Sequence, residues 1–372
     1  MDFPGRQERL AAALGQERLD GVLVSHMANV RYLSGFTGSA GVWAAAAGKQ
    51  GPRSAFFTDG RYTEQAKAEV QGARVTIAKG SALMAAAEWL TARKAKRIGF
   101  EGLHMAVATR AALAPAFGKA KVIPTRELVE RLRMCKEPGE LTRIRAAVRL
   151  ASSVFGEVLR SIKPGVPESR VAAELEYLCR RLGAEGMSFP TLVSSGTRSA
   201  LPHGVASSNP IPAKGFVILD FGVILGGYCS DMTRTVHVGA IDGKSQNIYD
   251  AVRAAQQAGV DAVQPGVKAS AVDRAARGVL EKAGLGRYYT HSTGHGVGLE
   301  IHEPPGLRKA VKGAAGKKVN PRDETLEPGM VITVEPGAYL PGLGGVRIED
   351  MVVVTPTGCE VLTPTGKDLV LL

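Results

Sequence analysis

The chain has 372 residues, a hydrophobic content of 45% and a formal net charge of +12. That length is large for one hydrophobic core and favours two domains. No apolar run approaches the length of a membrane span and residues 1–6 lack the features of a signal peptide, so we expect a soluble cytoplasmic protein with no membrane partner. Four cysteines without a CxxC pair predict reduced thiols rather than a disulfide framework.

The positive charge could indicate a nucleic-acid-binding protein. Part of it lies in a basic segment, residues 308–318, which contains Arg308, Lys309, Lys312, Lys317 and Lys318. No aromatic residues alternate with these cations and no recognition motif accompanies them. We therefore interpret the basic segment as a solvated loop and predict no nucleic-acid partner.

The first 130 residues alternate short apolar strands with helical stretches. Residues 21–24 and 97–100 are apolar runs of strand length, and residues 81–93 have the character of a helix. This alternation predicts an α/β domain over residues 1–130. A long helix is predicted to begin near residues 136–139, so we expect a second domain over residues 131–372.

The second domain contains one structural unit twice. A Pro-Gly-Val sequence at residues 164–166 opens a helical stretch that ends near Gly183, and the same sequence at residues 265–267 opens another that ends near Gly284. The register between the two copies is constant over about twenty positions, and a predicted hairpin follows each helix. The sequence therefore predicts an α+β domain with an internal pseudo-twofold repeat.

Each predicted hairpin carries two acidic residues, Asp220 and Asp231 in the first copy and Glu335 and Glu349 in the second. Each pair lies almost symmetrically about a glycine turn, at residues 226–227 and at Gly342. Antiparallel pairing would therefore bring the two side chains of each hairpin close together.

With His295, these four carboxylates form a candidate ligand set for two metal ions. Each unpaired buried carboxylate costs several kcal/mol, so the group could not be buried together without cations. A single acidic residue at a strand end is more often a turn cap or a solvated group. The prediction of bound metal therefore depends on all five residues together.

Residues 137–360 resemble the catalytic domain of the pita-bread metallopeptidases, and within them the Xaa-Pro aminopeptidases (aminopeptidase P) and the Xaa-Pro dipeptidases (prolidases). In the first half, the matching motifs are Leu-Asp-Phe-Gly at residues 219–222 and Ser-Asp-Met-Thr-Arg-Thr at residues 230–235. The second half matches at residues 291–299, 302–305, 327–330, 334–337 and 347–350. The resemblance implies a pita-bread fold and a peptidase activity.

Residues 29–39 and 58–62 resemble the N-terminal domain of creatinase, aminopeptidase P and prolidase. In that family the domain helps to form the dimer and restricts the cleft, so the resemblance implies a homodimer. Methionine aminopeptidases lack this domain, which argues against that activity. The basic segment departs from the pattern of many relatives and lies close in sequence to His302.

The resemblance also assigns a role to each candidate ligand. Asp220 would bind one metal ion, Asp231 and Glu349 would bridge the two ions, and His295 and Glu335 would complete the coordination of the second. Glu335 would also take a proton from the attacking water. Oxygen ligands with one imidazole favour manganese, with cobalt or zinc as alternatives.

Five further residues resemble groups that act on the substrate. His203, His291 and His302 would stabilise the tetrahedral intermediate and the departing nitrogen. Tyr339 and Arg347 would contact the substrate or support the ligands, and His203 and His302 would also contact the substrate. His203 could instead be an ordinary loop histidine, Arg347 a solvated strand residue and Tyr339 a packed aromatic.

We therefore predict a dinuclear metal hydrolase that removes the N-terminal residue from peptides with proline in the second position, as aminopeptidase P does. Prolidase, which must recognise the free carboxylate of a dipeptide, is the alternative activity. A binding protein on the same scaffold that has lost catalysis is the alternative of another class. Such proteins usually lose ligands, whereas this chain keeps all five.

Overall fold

The structure is a computed structural model that describes residues 1–47, 53–309 and 323–372, and the backbone of residues 311–312 and 318–319. It divides into two compact units, Met1–Arg133 and Met134–Leu372. The predicted domain limits, 1–130 and 131–372, stay a prediction. In the basic segment, predicted to be a loop, the backbone of residues 311–312 pairs with that of residues 318–319 in a two-stranded ladder. Of its side chains only those of Arg308 and Lys309 are described, and both are exposed. The described part of the chain holds no helix with the length and apolarity of a bilayer span.

The first unit is built on one six-stranded sheet. Its strands are β1 (Gly21–Val24), β2 (Val42–Ala46), β3 (Arg53–Thr58), β4 (Arg74–Ile77), β5 (Arg97–Glu101) and β6 (Lys121–Thr125). Their order is β4-β3-β2-β1-β5-β6, and β2 is antiparallel to both neighbours while the other three pairings are parallel. Every residue of β1 is buried, as expected for a central strand covered on both faces.

Within the described residues of this unit, seven α-helices accompany the sheet. They are α1 (Phe3–Gln16), α2 (Met27–Ser34), α3 (Thr63–Glu69), α4 (Ala82–Ala92), α5 (Val107–Ala112), α6 (Ala114–Phe117) and α7 (Glu130–Met134). Ser81 caps α4 by accepting a hydrogen bond from the backbone of Met84, which fixes its start. The strands predicted at residues 21–24 and 97–100 and the helix predicted at residues 81–93 are confirmed.

The described part of the second unit has four long helices: α8 (Pro138–Val158), α9 (Glu168–Arg181), α10 (Gly243–Asp261) and α11 (Ala269–Lys282). Pro138 occupies the first turn of α8 and Glu137 and Glu140 form a capping box there, which explains the predicted start. The turns before α9 and α11 have the same conformation, with φ of 84° at Gly165 and 85° at Gly266. The helices predicted after the two Pro-Gly-Val sequences are confirmed.

The first half of this unit contains β7 (Gly186–Met187), β8 (Leu192–Ser195), β9 (Gly215–Phe221), β10 (Val223–Leu225), β11 (Tyr228–Cys229) and β12 (Met232–Val238). They form two sheets of order β12-β9-β8 and β11-β10-β7. The pairing differs from the predicted hairpin in one respect, because Asp220 lies opposite Thr233 and not beside Asp231. Ser230 lies at the interruption between β11 and β12, and its Oγ accepts a hydrogen bond from the backbone nitrogen of Val223.

The second half contains β13 (Gly294–Gly296), β14 (Glu303–Leu307), β15 (Val311–Lys312), β16 (Lys318–Val319), β17 (Val331–Val334), β18 (Gly337–Leu340), β19 (Gly344–Arg347), β20 (Asp350–Thr355) and β21 (Gly358–Val361). The main sheet has the order β14-β13-β17-β20-β21, while β18 pairs with β19 and β15 with β16. Gly342, with φ of 79°, lies in the predicted turn between β18 and β19. Glu335 and Glu349 lie between the β18–β19 and β17–β20 ladders, so the second predicted hairpin is confirmed.

Each half has its own apolar core behind these strands. In the first half, Val171 and Leu175 of α9 pack in one cluster with Val217 and Leu219 of β9. In the second half, Val272 of α11 belongs to a cluster that contains residues of β17 and β20. Because β9, β12, β17 and β20 are anchored in this way, the acidic residues at their ends are held on a rigid frame.

Candidate metal centre

A cavity of about 480 Å³ in the second unit brings the predicted site residues together. Nine of the ten line it, namely His203, Asp220, Asp231, His291, His295, His302, Glu335, Arg347 and Glu349. The tenth, Tyr339, is buried behind the wall and is hydrogen-bonded to Arg347 and His291. Residues distant in the sequence therefore share one chamber.

The five candidate ligands come from the ends of strands on both halves of the repeat. Asp220 lies in β9 and Asp231 directly precedes β12; His295 lies in β13, Glu335 directly follows β17 and Glu349 directly precedes β20. The Nε2 atom of His295 is 3.6 Å from Oδ2 of Asp231 and 3.5 Å from Oε1 of Glu335. One ligand atom each from Asp231, His295 and Glu349 lie within 4.8 Å of one another, which is close enough to share one ion.

The unpaired oxygens at this site fit divalent cations. Oδ1 of Asp220, Oδ1 of Asp231 and Oε1 of Glu349 are buried and accept no hydrogen bond from the described residues. A buried carboxylate oxygen without a partner is costly, and a metal ion is the partner that carboxylates of this kind accept. The donor set of oxygens and one imidazole, without thiolates, agrees with hard or borderline ions.

The electrostatics of the site lead to the same conclusion. Burial, together with Glu349 and Asp220, raises the pKa of Asp231 well above its usual value. Burial, together with Glu335 and Asp220, does the same to the pKa of Glu349, and burial raises the pKa of Glu335 to about 8. Arg347 supplies one positive charge against these four carboxylates, so additional cations would be needed to keep all of them ionised.

His295 is prepared to act as a ligand through one nitrogen. Its Nδ1 lies 3.0 Å from the carbonyl oxygen of Gly296, which can only accept, so Nδ1 carries the proton. Burial, followed by the nearby His302, lowers the pKa of His295 to about 4, so the ring is neutral at neutral pH. Nε2 therefore presents a lone pair towards Asp231 and Glu335.

Two threonines that the sequence analysis did not identify orient the carboxylates. Thr233 donates a hydrogen bond from Oγ1 to Oε2 of Glu349 at 2.7 Å, and Thr333 donates one to Oε1 of Glu335 at 3.2 Å. Each threonine is two residues from an acidic candidate ligand, Asp231 or Glu335, and alternate residues of a strand share a face. The two-residue spacing could therefore have identified both threonines from the sequence.

Arg347 and Tyr339 connect the ligands to the rest of the wall. The guanidinium of Arg347 donates to Oδ2 of Asp220, to the hydroxyl of Tyr339 at 2.8 Å and to the carbonyl of Pro202 at 2.9 Å. The Tyr339 hydroxyl is in turn 2.9 Å from Nε2 of His291. Both Arg347 and Tyr339 are almost fully buried, so the alternative of a solvated arginine does not hold.

The three remaining histidines surround the cavity in different ways. Burial, followed by the charge of Arg347, lowers the pKa of His291 to about 4, and its Nδ1 is 2.8 Å from the Ser292 carbonyl. The His302 ring packs against the His295 ring with centroids 4.3 Å apart. His203 is exposed and makes no hydrogen bond within the described residues, which leaves its imidazole available to a ligand.

The other wall of the cavity is apolar. It includes Phe189, Pro190, Leu192, Val205 and Ile301. Phe189 and Pro190 lie between β7 and β8, in a segment where the sequence showed no motif that we interpreted. A site with charged ligands on one side and an apolar wall on the other suits a substrate with a polar scissile group and apolar side chains.

Comparison with protein families agrees with this geometry. Residues 142–356 match the model of metallopeptidase family M24. Residues 6–135 match the creatinase/prolidase N-terminal domain. These matches confirm the predicted resemblance and the predicted combination of a creatinase-like N-terminal domain with a pita-bread catalytic domain.

Individual relatives are similar over nearly the whole chain. An uncharacterized peptidase of Bacillus subtilis, YqhT, is 43% identical over 98% of this chain and 99% of that protein. The solved structure of an Xaa-Pro dipeptidase from Bacillus anthracis has a TM-score of 0.93 and 41% identity, and the match covers 100% of both chains. That of an X-Pro aminopeptidase from Thermotoga maritima has a TM-score of 0.84 and 34% identity over 96% of this chain and 100% of the other. On the family match and on these similarities, the chain belongs to metallopeptidase family M24.

Proposed function

We propose that this chain hydrolyses the bond before proline in peptides with proline as the second residue, and that dipeptides are its preferred substrates. The support is the whole-length similarity to the Xaa-Pro dipeptidase from Bacillus anthracis, combined with a complete set of five candidate ligands in one cavity. Aminopeptidase P activity on longer peptides, which the sequence motifs predicted, is the second candidate. It is supported by the similarity to the Thermotoga maritima X-Pro aminopeptidase.

Asp220, Asp231, His295, Glu335 and Glu349 are the proposed ligands of two divalent ions, with manganese first and cobalt or zinc as alternatives. When bound, such a pair supplies Lewis acidity that lowers the pKa of water and polarises the scissile carbonyl. The unpaired oxygens of Asp220, Asp231 and Glu349 support this assignment.

The residues of the chain then have separate tasks in turnover. Glu335, which bound cations would keep ionised, accepts the proton of the attacking water at a carboxylate oxygen. His203 and His302 donate hydrogen bonds to the substrate and to the developing negative charge. The neutral His291 donates from Nδ1 to the Ser292 carbonyl and bonds through Nε2 to the Tyr339 hydroxyl, so it supports the site by orienting Tyr339 and not by donating to the intermediate. Arg347, which bonds to the Asp220 carboxylate, holds this ligand in place and neutralises part of the site.

The length of the substrate can be tested with two peptides. Protein loaded with manganese is incubated with Ala-Pro and with Ala-Pro-Ala, and release of alanine is measured for both. A dipeptidase should have the higher kcat/KM on Ala-Pro, whereas preference for Ala-Pro-Ala would make aminopeptidase P the correct function. Ala-Ala is the control for proline specificity and should be hydrolysed much more slowly.

The same preparation distinguishes an enzyme from a binding protein that has lost catalysis. Metal content measured by mass spectrometry should reach two ions per chain. A folded protein that holds two ions and hydrolyses none of the proline peptides would contradict the proposed function. A folded protein that takes up no metal would favour the binding protein.

The remaining expectations about the molecule are part of the proposal. We propose a homodimer in the cytoplasm without a nucleic-acid partner. Light scattering coupled to size-exclusion chromatography should give twice the 39.1 kDa chain mass, and a mass of one chain would reject the dimer.

A further inference from the structure

A buried carboxylate outside the cavity joins the two ends of the loop that carries His203. Glu168, the first residue of α9, has no exposed surface. Its Oε1 accepts hydrogen bonds from the backbone nitrogen and Oγ of Ser195, at 2.8 and 2.9 Å. Its Oε2 accepts the equivalent pair from Ser207, at 3.2 and 2.7 Å. The Glu168 side chain therefore joins the two ends of residues 195–207, which we call the His203 loop.

Arg198 braces the same loop from within. Its Nε donates to Oε2 of Glu168 at 3.1 Å, and its Nη2 donates to the carbonyl of Val205 at 2.9 Å. The charge of the buried carboxylate is therefore paired with that of Arg198. Through its second bond, Arg198 also connects the carboxylate to the backbone at Val205. The backbone of Ser169 also donates to the Ser207 carbonyl at 2.8 Å, which attaches the end of the loop to α9.

The His203 imidazole depends on this backbone for its position. Unlike His291, which is held by Tyr339 and by the Ser292 carbonyl, His203 makes no hydrogen bond within the described residues. The loop is also fixed close to the histidine, because Arg347 donates to the carbonyl of Pro202 at 2.9 Å. The loop is therefore anchored at its base and beside His203, while the ring itself is free to meet a ligand.

We propose that Glu168 is a positioning residue that places the His203 imidazole at the cavity and affects peptide turnover only through His203. Glu168 does not line the cavity, and its bonds all go to the loop or to the residues that support it. This inference rests on the proposed function, since the part of His203 in turnover belongs to that proposal.

The substitution that tests this role is Glu168→Gln. An amide of the same shape places an NH₂ group against donors at Ser195 or Ser207, so one end of the loop loses its acceptor. A displacement of about 1 Å in a reacting group can reduce the rate by about 10²-fold. We expect kcat on Ala-Pro to fall by about tenfold to a hundredfold, with two metal ions still bound.

A double-mutant cycle with His203→Ala separates positioning from general damage. If Glu168 acts through His203, Glu168→Gln should cause no further loss of kcat in protein that already carries His203→Ala. Additive losses would overturn the inference. Glu174→Gln is the matched control, since Glu174 is an exposed residue of the same helix and should leave kcat unchanged.

Hydrogen exchange provides a measurement that does not need activity. Amides of residues 196–206 should exchange faster in Glu168→Gln than in wild type, while amides of β9 and β12 should not. Unchanged exchange in the His203 loop would overturn the inference, and this measurement does not depend on activity. Wild-type protein that hydrolyses no proline peptide would instead reject the proposed function. If Glu168→Gln does not fold, Ser195→Ala removes only the 2.9 Å bond from the Ser195 hydroxyl to Glu168 and undergoes the same cycle and exchange measurement.

Discussion

At the scale of the residue, Asp231 shows how burial and charge oppose each other at this centre. Only 5% of its surface is exposed, and Glu349, Asp220 and Glu335 are its acidic neighbours. Its Oδ1 accepts no hydrogen bond within the described part of the chain. In metal-free protein, keeping this carboxylate ionised opposes folding, whereas the proposed divalent cations would compensate the same charge.

We expect Asp231→Asn to change stability and function in opposite directions. Removing an uncompensated buried charge should raise the free energy of unfolding of metal-free protein by about 1–3 kcal/mol. Loss of the proposed bridging ligand should lower metal content below two ions and reduce kcat/KM by at least about a hundredfold. Urea unfolding after chelation, elemental analysis and hydrolysis of Ala-Pro measure the three effects.

The control for this substitution is Asp261→Asn at the exposed end of α10. It should change the free energy of unfolding by less than about 0.5 kcal/mol and leave metal content unchanged. If Asp231→Asn destabilised the metal-free protein and still bound two ions, the proposed role of Asp231 would be wrong.

At the scale of the element, the first hairpin depends on a close approach of two backbones. A Cβ atom built on Gly222 would lie 1.8 Å from the carbonyl oxygen of Ser230. No side chain fits there, so glycine permits the interruption that separates β9 from β10 and displaces Asp231 from the ladder. The position of a proposed ligand therefore depends on a residue without a side chain.

We expect Gly222→Ala to destabilise the protein by about 1–3 kcal/mol and to reduce metal uptake, because the strands must separate to admit the methyl group. Gly278→Ala is the matched control. Gly278 lies inside α11 with no atom within 4 Å of the added carbon, so alanine should stabilise the helix by about 0.5–1 kcal/mol. Thermal unfolding of both variants should show shifts of opposite sign, and equal shifts would contradict this account.

At the scale of the whole molecule, the shifted pKa values predict how stability depends on pH. Burial lowers the pKa values of His291 and His295 from 6.5 to about 4 and also lowers that of His302, so above about pH 7.5 all three are neutral in both folded and unfolded protein. Glu335, raised from 4.5 to about 8, retains a bound proton between about pH 7.5 and 8.5 only in the folded protein. Unfolding then releases a proton, and a higher pH favours unfolding.

We therefore expect the free energy of unfolding of metal-free protein to fall as the pH rises from about 7.5 to about 8.5. The slope should not exceed about 1.4 kcal/mol per pH unit for each carboxyl group involved. Excess manganese should remove this decline, because cations stabilise the ionised carboxylates. Denaturant unfolding at three pH values, with chelator and with manganese, measures both trends. A free energy of unfolding that rises with pH in chelator would refute the raised pKa of Glu335.

The sequence by itself determined the elements and the candidate residues, because both depend on local chemistry. Apolar runs predicted β1 and β5, and the Pro-Gly-Val turns predicted the starts of α9 and α11. The glycine turn at Gly342 located the second pair of carboxylates, and the family motifs selected residues that now line one cavity.

Only the tertiary structure decided how those residues meet. The interruption at Ser230, the bond from Arg347 to Asp220 and the closure of the His203 loop by Glu168 join residues that are distant in the chain. Burial, the unpaired carboxylate oxygens and the shifted pKa values also arise from packing. Such properties depend on distances between elements and on exclusion of water, which a pattern along one chain does not contain.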